Sequence, residues 1–544
     1  MPDPRQTDSH SANRRGSIIL IAAWLLLSIG AVALAKQNFS APGLYYDEAV
    51  FAGLAKDFVG GQHRLHTPGF EITNFLGRPL PLFVQPYLGA LKSWLLIPSF
   101  ALFGSSIAVV RLTTLFWALL ALLFFMLGVR RWLGFRAALI AGPVLLVDPT
   151  FFFLGVLDWG AAISALFCRC VAFYLASVWW RNRNALYLFL ASFFLGLGIF
   201  NKVDFVAFIV GAGIAAVCFF GRELWSVLRA RPSLAAFSSL GFLLGVGPML
   251  LKIPRVATLT ASGQATLGSG GITEEFHTFC AMHDGSYFYR LMSAGGLFDK
   301  MYEQPSGVHS LLCFILVIAI VALFAIGIFT QNRNQRRIAG FLLVGFVLTT
   351  VGIFAIPGAV RIHHAVLAFP FPQLIIAAAF TFLWEQGSTL SIRRGIRAAM
   401  IAATVILLGS QLRAISKTER LISETGGRGR WSNAFDVFCR ENKNRDDLII
   451  VSLDWGFNEQ LSFLTDKPQL VEPFWAFPSY KGALPPLPRQ QEYVFLAHSS
   501  EYSLLRYDIA YLESLQTGGE NIEIKPYSDQ QGRVVFYTIR FPAQ

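Results

Sequence analysis

Two adjacent acids, Asp47 and Glu48, stand immediately before an apolar stripe of Phe51, Leu54 and Phe58, and Gly60-Gly61 closes the run. That spacing predicts a short amphipathic helix with both carboxylates at its amino-terminal end. The helix end favours ionised Asp47, whereas burial would favour the protonated form. One reading makes Asp47 an N-cap and Glu48 a first-turn acid. The other makes Asp47 a base that takes a proton from an acceptor hydroxyl, a role that typically contributes about 100 to 10,000-fold to rate.

Further candidates lie downstream. Asp158, in LGVLDWGAA, is either an interfacial cap or a functional acid near membrane depth. Lys202 and Asp204 read as a local ion pair or as part of a phosphate site, and Arg361, His363 and His364 supply a basic turn. Glu274, Glu275, His277, His283 and Asp284 are metal-ligand types, but their spacing fits no diagnostic motif. A solvated polar loop is the simpler account of them. Arg78 opens an Arg-Pro segment that is either a turn or an anion contact.

These residues need a scaffold, and composition dictates its class. Of 544 residues, 54% are hydrophobic and only 14% charged, against about a quarter charged in soluble domains. Too few charges remain to cover several soluble surfaces. Apolar runs long enough to cross roughly 30 Å of hydrocarbon recur near 17–35, 108–129, 137–155, 161–180, 185–200, 205–220, 233–251, 309–329, 338–357, 365–384 and 398–414. The fold class is therefore an α-helical polytopic membrane protein with about eleven spans. The run Ser17 to Ala35 ends in a signal-peptidase-like Ala33-Leu34-Ala35, yet it exceeds the usual signal core of about 7–15 residues and reads as a retained span.

The net charge of +12 comes from arginine clusters between the apolar runs. They are Arg130, Arg131 and Arg136; Arg181 and Arg183; Arg222, Arg229 and Arg231; Arg333, Arg336 and Arg337; and Arg393, Arg394 and Arg397. The positive-inside rule makes these the cytoplasmic turns, and no nucleic-acid partner is indicated. Leu82 to Phe103 is apolar enough to count as a span, but counting it would invert every later loop. Pro86, Lys92 and Pro98 also interrupt it, and it is read as helices lying at, or dipping into, the outer interface.

The expected organisation is a cytoplasmic tail at 1–16 and a transmembrane unit at 17–414 with a large first outer loop at 36–107. An external α/β domain follows at 415–544, with strands at Asp447–Leu453, Tyr493–His498, Asn521–Tyr527 and Arg533–Phe541. Within it, Trp431, Phe435 and Phe438 share one helical face, as do Leu505, Ile509 and Leu512. Cys168, Cys170, Cys218 and Cys313 fall in apolar runs, while Cys280 and Cys439 fall in external segments where a bridge is open.

The run Asp47-Glu48-x-x-Phe51-x-Gly53-x-Ala55 resembles the first-loop signature of protein O-mannosyltransferases and of bacterial lipid A aminoarabinose transferases. Both belong to the GT-C class of polyprenyl-phosphate-sugar-dependent glycosyltransferases. GRPLPLFVQPYLGALKSW from Gly77 resembles their Lys/His-Pro-Pro-Leu segment and the juxtamembrane helices that follow it. LFG from Leu102, Arg111-Leu112 and Arg130-Arg131-Trp132-Leu133-Gly134 come in the same order. The resemblance covers about residues 17 to 220 and weakens towards 414.

It implies an inverting glycosyltransferase in the inner membrane of a bacterium, acting on the periplasmic side. Asp47 would be the catalytic base, with Glu48 beside it, and Asp158 would match an acid of the second outer loop that positions substrate or a cation. Arg78 stands where the family has Lys or His, and Leu80 departs from the second Pro; Arg still suits a phosphate because its planar fork donates two bonds. Lys202, Arg361, His363 and His364 would face the lipid phosphate. The implied partners are a polyprenyl-phosphate sugar donor, membrane lipids, and an acceptor lipid, glycan or protein. No cofactor is assigned; a divalent cation could assist charge neutralisation. A transporter or a lipid-binding envelope-assembly protein are the alternatives, the first predicting inverted repeats around a midplane site.

Overall fold

Inside a bilayer no water satisfies backbone N–H and C=O groups, so apolar runs must fold as helices. In the computed structural model, residues 4–62, 70–157, 159–254, 271–305, 307–356, 361–385, 390–472, 492–504 and 523–541 are described. The chain opens with α1 (Pro4–Leu34), whose Trp24 indole donates to Leu119 O at 2.8 Å. Then come α2 (Tyr46–Gly60), the strands β1 (Glu71–Phe75), β2 (Arg78–Gln85) and β3 (Leu88–Gly89), and α3 (Leu91–Phe103). The bundle continues through α4 (Ile107–Trp132), α5 (Phe135–Leu146), α6 (Pro149–Leu157), α7 (Ala162–Asn182), α8 (Ala185–Asn201), α9 (Val206–Ala230) and α10 (Ser233–Leu250). Two shorter helices, α11 (Ile272–Asp284) and α12 (Tyr287–Ser293), precede α13 (Leu312–Phe329) and α14 (Arg333–Phe354). A single turn α15 (Ile362–Ala365), α16 (Phe371–Trp384) and the long α17 (Leu390–Thr425) complete it.

Among the described residues, nine helical segments are long and apolar enough to cross a membrane, and the bent pair α5–α6 makes a tenth. The 61° bend has a local cause: Asp148 caps the start of α6 through Thr150 N at 2.9 Å, and Pro149 takes the first helical position. The expected span at 185–200 is α8, whose 17 residues reach about 25 Å, so it is shorter than the other spans.

Residues 82–89 correct the expectation of an interfacial helix, because they are two strands joined by a turn at Pro86 and Tyr87. Arg78, Leu80 and Gln85 each precede a proline, which biases them to extended backbone, and β2 pairs antiparallel with β1 and β3. Only α3 is helical there, and its 13 residues are too few to span.

The arginine-rich turns meet at one end of the bundle. Arg130 donates to Ser17 Oγ, Arg181 to Arg131 O, Arg337 pairs with Glu223, and Arg136 and Arg397 both lie over Trp384. At the other end lie α2, the three strands, α11, α12 and a carboxy-terminal sheet.

That sheet follows α18 (Ala434–Asn442) and comprises β4 (Leu448–Ser452), then, after α19 (Asn458–Leu464), β5 (Gln469–Val471), β6 (Glu492–His498), β7 (Glu523–Ser528) and β8 (Val534–Phe541). The order is β5-β4-β6-β8-β7, with β4 parallel to both neighbours and β8 antiparallel to both of its own. Phe435 and Phe438 pack into the sheet core with Leu448, Ile450 and Phe536. Trp431 does not share their face, because it sits in a preceding 3₁₀ turn and joins the core of the bundle. Leu505, Ile509 and Leu512 lie outside the described residues. Cys280 and Cys439 are both free; Cys439 is buried in the sheet core and Cys280 lies on α11.

The tightest helix contact is α8 against α10. Gly241 and Gly245, four apart on α10, meet the carbonyls of Phe189 and Phe193, and Gly196 of α8 meets Phe242 O; a Cβ at any of the three would collide with backbone. Small residues at this spacing let helices approach closely in a membrane. A Gly245→Val variant should separate the two helices and lower the melting temperature in detergent, whereas Gly247→Val, where a Cβ meets nothing within 4 Å, should leave it unchanged.

Candidate active site

The site begins with how α2 starts. Tyr45 is the N-cap and Asp47 lies in the first turn, so Asp47 is not itself the cap. Glu48 reaches back to Tyr45 N at 3.0 Å, as an acid at the third helical position does in a capping box. Both Glu48 oxygens are also gripped by Arg111 of α4, Nε to Oε1 at 2.7 Å and Nη2 to Oε2 at 2.8 Å. The guanidinium spends its other donors on Asn38 O, Pro42 O and Gly43 O, at 2.7, 2.8 and 3.1 Å. Gln37 and Asn38 in turn donate to Glu419 of α17. Glu48 and Arg111 are fully buried, so Glu48 anchors the helix start from behind.

Asp47 is left for chemistry. Its carboxylate makes no hydrogen bond among the described residues, and the residue is half-buried. Burial lifts it to about 6, against the pull of Lys92, Lys202 and Arg361, and Glu48 adds to the rise. Lys92, on α3, donates to Asp47 O at 3.3 Å and Gly160 O at 2.8 Å, with its ammonium 4.5 Å from the centre of the Phe51 ring. Lys202 lies 3.0 Å from Asp204, which also accepts from His364 Nδ1 at 2.7 Å. Val203 N bonds Tyr87 O at 3.1 Å, and Leu88 of β3 bridges to Lys202, so the β2–β3 turn is tied to this cluster. The Tyr87 hydroxyl is pushed up to about 12 by burial and by the charges of Asp47 and Asp204. Arg361 pairs with Glu274 at 2.6 Å and lies 3.7 Å over Phe298.

The structure therefore brings together Asp47, Lys202, Arg361 and His364, and sets the His363 ring 4.4 Å from that of His364, tilted by 48°. It does not bring Arg78 to them. That side chain is exposed and caps the far end of α2 through Val59 O at 2.5 Å, and Phe58 lies eleven residues, about 16 Å, along the helix from Asp47. Asp158 lies outside the described residues; its neighbour Trp159 packs 5.1 Å from Tyr45.

Two residues that the sequence does not mark as site candidates belong here, Lys92 and Tyr87. A lysine inside an apolar run was the available signal for Lys92. The metal-type residues disperse: Glu274 pairs with Arg361, Asp284 contacts His309 at 3.1 Å, and His283 is buried among Phe279, Phe346 and Phe369. No group of three or more potential ligands assembles among the described residues.

No family model matches the sequence, and no curated protein matches it. Solved structures do. The crystal structure of ArnT from Cupriavidus metallidurans in the apo state aligns with a TM-score of 0.56 at 12% identity, over 96% of this chain and 98% of that one. The Archaeoglobus fulgidus oligosaccharyltransferase tethered with an acceptor peptide containing the NVT sequon aligns at 0.52 and 13%, over 88% of this chain and 69% of that one. Its apo form aligns at 0.51. ArnT, a lipid A aminoarabinose transferase, and the oligosaccharyltransferase are GT-C glycosyltransferases, and the likeness is one of fold.

Removing one partner of a buried ion pair leaves the other unpaired, at a cost of about 3–5 kcal/mol. Arg111→Met should destabilise the protein by about that much in thermal unfolding, and adding Glu48→Met should recover most of the loss. Unchanged melting of the single variant would exclude the anchoring role.

Proposed function

We propose that this protein is an inverting glycosyltransferase that moves a sugar from a polyprenyl-phosphate donor to an acceptor on the extracytoplasmic face, with Asp47 as general base. The observation that carries this reading is Asp47 itself, a half-buried acid raised to about 6 and set among Lys92, Lys202 and Arg361. A base poised near working pH beside a cluster of cations is what displacement of a phosphate leaving group requires. The GT-C fold supports the reaction class. The arginine turns at the opposite end support an outward-facing site by the positive-inside rule, and ArnT lends weight to a bacterial inner membrane.

In this mechanism the acceptor oxygen or nitrogen attacks the anomeric carbon from the face opposite the phosphate. The bond from that carbon to the phosphate oxygen breaks, and the acceptor proton passes to Asp47. Negative charge gathers on the departing phosphate, where Lys202, Arg361 and the His364–Asp204 pair lie. Lys92 holds the Asp47 backbone and the Gly160 turn in place. No protein nucleophile is needed, because the lipid phosphate is already a competent leaving group. A divalent cation, if one binds, would add charge at the phosphate. The acceptor class is a lipid, a glycan or a protein.

The test is transfer of label from polyprenyl-phosphate sugars by the purified protein in lipid nanodiscs. Asp47→Asn should lower transfer by at least about 100-fold. Because Asp47 must be ionised to act, the rate should be level above pH 6 and fall about tenfold per pH unit below it. The sign for stability is opposite: a carboxyl whose folded value is raised opposes folding as pH rises through it. Asp47→Asn should therefore melt at or above the wild-type temperature at pH 8. Undiminished transfer in that variant would reject the assigned base, and solute uptake without transfer would favour a transporter.

A further inference from the structure

In an open parallel sheet the ligand crevice lies at the carboxyl ends of the strands where chain connections part to either side. Here that point lies beyond β4 and β6, and the protein fills it with its own arginine. Arg430, from the 3₁₀ turn before α18, donates Nε to Tyr502 O at 3.0 Å, Nη1 and Nη2 to Trp455 O at 2.9 Å each, and Nη2 to Asp454 Oδ2 at 2.9 Å. Asp454 also accepts from His498 Nδ1 at 2.9 Å, Leu504 N at 3.0 Å and Trp455 N at 2.9 Å. Burial pushes His498 down to about 4, so the imidazole is neutral at pH 7 and its Nδ1–H donates. Although burial works the other way, the His498 bond and the Arg430 charge hold Asp454 well below the usual carboxylate range. The Arg430 and Asp454 side chains are 4% and 0% exposed.

The residues beside this plug face the site described above. Trp431 stacks on Tyr45 at 4.3 Å and 7°, and its carbonyl accepts from Gly43 N at 2.8 Å. Trp455, whose carbonyl Arg430 holds, places its ring 4.1 Å from Tyr46. Tyr45 and Tyr46 are the two residues before Asp47. On the other side, Arg430 N bonds Gly295 O at 2.9 Å, and Trp431 lies 5.4 Å from Trp159, which packs 5.9 Å from Phe298, the ring beneath Arg361. One turn of the carboxy-terminal domain therefore touches the supports of both the acid and the cation.

We infer that Arg430 is a positioning residue: by occupying the crevice of its own domain, it holds Trp431 and Trp455 so that Asp47 and Arg361 keep a fixed separation. The carboxy-terminal domain is then a splint for the site. This rests on the proposed roles of Asp47 and Arg361, so one readout must need no sugar.

The experiment uses the full chain in nanodiscs, as wild type, Arg430→Lys and Arg430→Met. Hydrogen exchange should rise about tenfold at amides 44–50 and 295–298 in both variants, with α4 unchanged. Transfer should fall about tenfold in turnover with the donor KM changed less than about threefold, and Arg430→Lys should add no further loss in an Asp47→Asn background. Trp431→Leu, which removes the ring stacked on Tyr45 and leaves Arg430 in place, provides the same exchange test should Arg430→Met fail to fold. Faster exchange confined to 430–442 and 492–504 would overturn the inference, and so would a loss additive with Asp47→Asn. Exchange at 44–50 that responds as stated, in a protein that transfers no sugar, would retain the splint and reject the transferase.

Discussion

The bidentate pair between Glu48 and Arg111 fixes the end of the bundle where the candidate chemistry lies. A buried guanidinium must spend its donors, and Arg111 spends them on Glu48 and on three carbonyls of the 38–43 segment. That segment can then follow only one path from α1 into α2. Continuation through Asn38 to Glu419 ties the same path to α17. With one acid of the pair so committed, its neighbour on the next helical position points elsewhere, into a setting that desolvates it without neutralising it. The division of labour between two adjacent carboxylates is thus set by a partner on another helix.

Much of this was legible in the sequence, for physical reasons. Hydropathy is a one-dimensional signal, and a bilayer converts it directly into helices, so the spans and the basic turns could be read with little tertiary knowledge. Strands β4, β6, β7 and β8 were legible as short runs rich in β-branched and aromatic residues, continuous in β4 and β6; β5, with three residues on the sheet edge, was too short to leave a pattern. The β2 strand was missed because its apolar content outweighed the three X-Pro steps that force extension. At the site, Asp47 stood out by type and position, yet the separate duty of Glu48 depends on Arg111, 63 residues away, and no local pattern announces such a partner. Arg78 is a candidate by likeness to a motif, and the fold puts it at the end of α2 away from Asp47. Lys92 was read only as an interruption of an apolar run.

The site is built from pieces that are distant in sequence and small in themselves. Asp47 comes from the first turn of α2, Lys92 from α3, Lys202 from the end of α8, and Arg361 and His364 from the turn before α16. Lys92 is held by the carbonyls of Asp47 and Gly160, the other cations by acids. Opposite charges are paired locally, Lys202 with Asp204 and Arg361 with Glu274, which keeps the cations desolvated yet in place. A phosphate arriving between them would meet donors already oriented, with little reorganisation needed.

The unbroken course of α17 has a mechanical consequence. It runs 36 residues, about 54 Å, from the arginine-rich face to Thr425, only a few residues before Arg430. A rod of that length offers no hinge between the lipid phase and the sheet it carries. The altitude of the sheet above the headgroups is consequently set by the bilayer itself, and an acceptor in the proposed reaction would have to present itself at that height.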